Sequence, residues 1–125
     1  MNPPTMAGWN LGLRFVLELG ALAGLATTAW RLSDGAWRWI GAVGLPIAAA
    51  VLWVTFNVPD DPSRSGEAPV EVGGATRLVV ELAVLCAGTA GLLWRGPRWA
   101  GVVMLAGLVA HYAASAERIS WLLDQ

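Results

Sequence analysis

The chain contains no lysine and a single cysteine, and charged residues make up only 14% of its 125 positions. A water-soluble domain carries about 25% charged residues, and one this small needs generous polar cover because its surface is large for its volume. The shortfall excludes an ordinary soluble domain. Cys86 has no second cysteine to oxidise with and no companion for a zinc site, so it reads as a small apolar filler. All eight cationic residues are arginine, which together with abundant Ala, Gly and Val matches the codon bias of a GC-rich bacterium. A net charge of −1 with no basic patch excludes nucleic acid as a partner. Phosphate-binding glycine loops, nucleophile elbows and catalytic triads are missing too.

What is present is hydrophobic, 56% of the chain, and it falls into four runs at about 9–30, 37–58, 76–94 and 99–121. Each has the ~20 residues that a helix rising 1.5 Å per residue needs to cross a hydrocarbon core. Trp9, Trp30, Trp37, Trp39, Trp94, Trp99 and Trp121 stand at run ends, where indoles favour the headgroup level, and only Trp53 lies inside a run. A cleaved signal peptide fits the first run poorly, because Glu18 interrupts it. The expected fold is all-α: a single four-helix transmembrane bundle over residues 1–125.

The chain also repeats itself. Arg14-Phe-Val-Leu-Glu18-Leu in the first run matches Arg77-Leu-Val-Val-Glu81-Leu in the third, and Arg38-Trp39-Ile-Gly41 matches Arg98-Trp99-Ala-Gly101. The bundle is therefore expected to be built from two parallel two-helix repeats related by an axis along the membrane normal. Asp34-Gly35 and Gly96-Pro97 mark tight turns within the copies. Between the copies, residues 59–75 read as an exposed, mobile polar loop. Arg31, Arg38, Arg95 and Arg98 cluster in the turns while the loop holds only Arg64, so the positive-inside rule predicts a multi-pass protein of the bacterial cytoplasmic membrane with both termini outside.

Charged side chains at mid-membrane cost about 2.5 to 3.5 kcal/mol on insertion scales, so those inside the runs are the candidate functional groups. Glu18 and His111 lie roughly 13 to 15 Å in from the same end of the bundle and Glu81 about 8 Å in, counting from the run ends. His111 sits with Gly107 and Ser115 on a small-residue stripe suited to helix packing. Arg77, Glu81, Leu85 and Gly88 share one face of the third helix. The expectation is a polar cluster of Glu18, Glu81 and His111 that binds a proton or a ligand, with Arg14 and Arg77 tuning it. A purely structural role competes: each Arg precedes its Glu by four residues, so the pairs can neutralise themselves or cross between repeats. Arg before Glu is the weaker order within a helix, which argues against helix stabilisation as the whole reason. Two carboxylates and an imidazole could ligate a metal, but their spacing matches no recurrent metal motif, so neither a metal nor a cofactor is expected. Pro46 is expected to kink the second helix. Gly20, Gly24 and Thr28 form a packing stripe, and Glu117 and Arg118 read as interfacial.

Arg14-Phe15, Glu18-Leu19, Pro46, Trp53, Phe56, Pro59 and the returning Arg77 with Glu81 resemble the YrdB family of small bacterial membrane proteins of unknown function. The likeness runs from Leu11 to about Trp94 on scattered positions. It implies four membrane helices and brings no substrate or catalytic residue; Val54 stands where a glycine is expected. Three functional classes follow. The first is a transporter-like or ligand-binding protein in the lipid bilayer, acting on a proton or small molecule and homo-oligomeric if it transports, because four helices enclose little volume. The second is a membrane enzyme using Glu and His as acid and base on a lipid-soluble substrate. The third is an accessory subunit of a membrane complex.

Overall fold

The computed structural model describes residues 3–64 and 67–125. Its elements are α1 (Gly8–Leu32), α2 (Gly35–Thr55), β1 (Phe56–Asn57), β2 (Val70–Glu71), α3 (Gly74–Trp94), α4 (Arg98–Ala114) and α5 (Ala116–Leu123). The fold is all-helical apart from the two-residue parallel pairing of β1 with β2. Three helices, α1, α2 and α3, are long and apolar enough to cross a membrane, and α4 with α5 makes a fourth span if the bent pair is taken as one.

The third helix is the most enclosed. Its buried residues, among them Arg77, Glu81, Val84, Leu85, Gly88 and Leu92, recur every three or four positions and form a stripe facing its neighbours. α1 packs against it at close range because both helices present small residues. A side chain at Gly24 would run into the Gly88 backbone, and one at Gly91 into Thr28. The small-residue stripe of α1 therefore serves packing within the chain. α2 carries Pro46 inside it and buries only Ala49, so most of its surface is exposed apolar side chain.

Two departures from the sequence reading shape the site. α2 stops at Thr55 instead of reaching position 58. Val58 precedes Pro59, which disfavours helix there, and the Asn57 amide donates to the Val54 carbonyl at 2.7 Å. The chain after it is partly buried rather than wholly exposed: Asn57, Val58 and Asp61 are all within the interior.

The second departure is at Ser115, where the expected fourth helix breaks and turns through 66°. Ser115 Oγ donates to the His111 carbonyl at 2.6 Å, taking the acceptor that its own N–H would use in a regular helix; that N–H bonds Tyr112 instead. α5 then folds back beside α3. Gly74 makes room for it, since a side chain there would collide with the Leu122 carbonyl.

Candidate functional site

The inward face of α3 places Arg77 and Glu81 one turn apart, and Glu81 is fully buried. A carboxylate so placed needs strong compensation, because removing an ion from water costs several kcal/mol even after relaxation. Three guanidiniums supply it. Arg77 Nε donates to Glu81 Oε2 at 2.8 Å. Arg118 Nη1 and Nη2 reach Oε1 and Oε2 at 3.0 and 2.5 Å, a two-pronged contact. Arg14 Nη1 donates to Oε1 at 3.1 Å, while its Nη2 lies 3.0 Å from Oε2 but off the bonding direction. The Tyr112 hydroxyl is a fourth side chain donating to Glu81, reaching Oε1 at 2.9 Å.

The guanidiniums are held in turn. Arg77 Nη1 donates to the Trp53 and Phe56 carbonyls at 2.6 and 2.9 Å, satisfying the end of α2. Arg14 and Arg77 both lie over the Trp53 ring, 4.9 and 4.7 Å from its centroid. Arg118 donates from Nε and Nη2 to Asp61 at 2.8 and 2.6 Å. Asp61 also accepts from the Ser63 N–H. Burial pushes the Asp61 carboxyl up, but the Arg118 hydrogen bonds and charge outweigh it and hold the group below the usual carboxylate range.

A neutral branch extends from Arg14. Its Nη1 lies 3.3 Å from His111 Nε2, which must then accept, so His111 Nδ1 carries the proton and donates to Asn10 Oδ1 at 2.6 Å. Asn10 Nδ2 donates to Ser115 Oγ at 3.0 Å. Both ring nitrogens of His111 are engaged, leaving none free to exchange a proton with a substrate.

Of the five residues picked from the sequence, four meet directly: Arg14, Arg77 and Glu81 in the ion-pair network and His111 on its flank. Glu18 stands apart. Its one ion pair among the described residues is to Arg14 Nε at 3.6 Å, the Trp53 indole lies beside its carboxylate, and its side chain is 29% exposed. Arg77 makes no ion pair with Glu18 among the described residues, and no group of three His, Cys, Asp or Glu there could hold a metal ion. Glu18 instead lines two adjoining cavities, one of about 200 Å³ and largely apolar, the other of about 400 Å³ at the loop end.

Sequence reading missed Asp61, Tyr112, Asn10 and, above all, Arg118. Arg118 was expected at the interface and is instead 1% exposed, because the turn at Ser115 swings it inward onto Glu81. Glu117, beside it, does face outward. Three buried guanidiniums face two buried carboxylates, Glu81 and Asp61; half-buried Glu18 makes the balance even.

The family described as "Protein of unknown function (DUF2568)" matches residues 12–110. The "Uncharacterized protein YrdB" of Bacillus subtilis (strain 168) is 43% identical over 116 residues, which is 93% of this chain and 94% of that protein. No solved structure matches the chain significantly.

Proposed function

We propose that this chain, which belongs to the DUF2568 family, is a multi-pass protein of the bacterial cytoplasmic membrane that binds a small molecule through Glu18. In this reading the four spans form a bundle of two parallel hairpin copies, with both termini and the loop between the copies outside. The two copies of the Arg-x-x-x-Glu motif have divided the work. Glu81 is an anchor: four side chains already fill its acceptor sites, and no further partner can approach. Glu18 is the receptor.

The observation that carries this is the contrast between the two carboxylates. Glu81 has three arginines on it and is fully buried, whereas Glu18 has one ion pair among the described residues, at 3.6 Å, and faces a cavity of about 200 Å³. Ligand sites are concave and mostly apolar, with a few polar groups that fix orientation. One lone carboxylate on an apolar wall fits that description. A single copy encloses little volume, so any transport would run through a homo-oligomer.

Native mass spectrometry of the protein extracted from its own membrane tests the reading. Wild type is expected to carry a small molecule that Glu18→Gln has lost, with both proteins equally well folded. Identical spectra from the two would refute it.

A further inference from the structure

The two cavities at Glu18 form one groove with an ordered sequence of chemistry. The outer chamber, about 400 Å³, is lined by Leu11, Arg14, Pro62, Ser63 and Arg64. The inner one, about 200 Å³, is lined by Leu22, Ala49, Ala50, Trp53 and Val84. Phe15 and Glu18 belong to both. Leu11 and Leu22 are 11 residues apart on α1, so the groove runs roughly 16 Å along the helix axis, from the loop toward mid-membrane.

Its mouth is built to accept an anion. Arg64 stands there with its Nη1 donating only to the Glu67 carbonyl among the described residues. Ser63 Oγ is buried at the same place, beside the Asp61 carboxylate, and completes no well-formed hydrogen bond among the described residues, an arrangement that native proteins seldom leave unused. Below them comes Glu18, an acceptor. Beyond Glu18 the wall is apolar, and the chamber has room for part of one hydrocarbon chain, since a cavity of about 150 Å³ takes a single benzene ring.

From outside inward the order is therefore anion, hydrogen-bond donor, single chain. We propose that the groove binds a single-chain anionic lipid with a free hydroxyl between head and chain, in chemical class a monoacylglycerol phosphate. The phosphate meets Arg64 and Ser63, the hydroxyl donates to Glu18, and the chain lies beside Trp53. An ammonium headgroup fits the order badly, because in such lipids the cation lies outside the phosphate, opposite Arg64. Two chains exceed the inner chamber. This assignment rests on the reading of Glu18 as the receptor.

The test is a titration of the full-length protein in detergent micelles, followed by native mass spectrometry. The probes are a long-chain monoacylglycerol phosphate, glycerol phosphate, and the corresponding diacyl phosphatidate. One monoacylglycerol phosphate is expected per chain, with the other two binding at least tenfold more weakly. Arg64→Ala, a loop change outside the packed helices, weakens it by about tenfold or more, the scale of one lost charge-assisted hydrogen bond. Ala50→Phe, which fills the inner chamber without touching a charge, weakens it similarly. Glycerol phosphate binding as tightly as the lipid would reveal a site for the free headgroup and overturn the proposal. So would equal binding of the diacyl lipid, or no effect of Arg64→Ala. A co-purified molecule lost from Glu18→Gln but not displaced by the probe would overturn the lipid assignment while leaving the receptor reading intact; absence of any such molecule would remove both.

Discussion

Glu18→Gln and Glu81→Gln are the same chemical change made in two copies of one motif, and the structure predicts very different costs. At position 81 the substitution removes the charge on which Arg14, Arg77 and Arg118 converge, leaving three buried guanidiniums facing only Asp61 within the interior. Removing one partner of a buried ion pair costs about 3–5 kcal/mol, because the other charge stays buried and uncompensated. Interactions between polar groups on membrane helices average less, about 0.6 kcal/mol in one well-studied case. Three simultaneous contacts to one carboxylate place the expectation at about 3 kcal/mol. Against a typical stability of about 5–15 kcal/mol this is a large fraction. At position 18 the lost ion pair is a single one at 3.6 Å on a partly exposed side chain, which belongs with pairs worth about 1 kcal/mol or less. Denaturant unfolding in detergent micelles, followed by tryptophan fluorescence, measures both. A Glu81→Gln protein within about 1 kcal/mol of wild type would refute the anchor assignment, as would a Glu18→Gln protein equally destabilised.

Arg118→Met severs Asp61 from Glu81, and amide hydrogen exchange should rise in α5 and around Asp61 while the middle of α1 and α3 stays protected. Uniform exchange across the chain would contradict this. Because the Asp61 carboxyl is held below its ordinary value near 3.8, its contribution to stability is complete above that value and is lost as pH falls through the lower, folded one. Unfolding measured between neutral pH and pH 3 should therefore lose a component on acidification that is missing in Asp61→Asn. Gly24→Ala and Gly88→Ala each force α1 and α3 apart, at a cost of about 1–3 kcal/mol, whereas Gly12→Ala, with open space around it, should leave the melting temperature nearly unchanged.

The long apolar helices were legible because each is a contiguous run of membrane-spanning length, and residues such as Trp9, Trp30 and Trp94 stand near the ends. Arg14, Arg77, Glu81 and His111 could be singled out for the same reason: charge and imidazole inside an apolar run have few explanations. Arg118 escaped because its meaning depends on a bend, and the bend depends on one hydroxyl taking one carbonyl at Ser115. Nothing in the local sequence distinguishes that serine from one packed on a continuing helix. Asp61 escaped for a different reason. Its partner lies 57 positions away, and an aspartate beside a proline in a polar stretch reads as a turn until the arginine is seen to reach it. The unequal fates of Glu18 and Glu81 were hidden too, since the repeat makes the two look alike while only α3 occupies the centre.

If the chain spans a membrane as proposed, the turn at Ser115 also bears on the surrounding lipid. α4 has 17 residues, roughly 25 Å of helix, whereas α1 has 25 and extends roughly 37 Å. A bilayer core of about 30 Å cannot match both. In that setting, where the straight part of the fourth span ends at α4, the leaflet would pinch, and on the α1 flank the helix would lean or the acyl chains stretch. The mismatch would then give the molecule a thin side and a thick side, and with them a preferred neighbour: a patch of membrane already uneven in thickness.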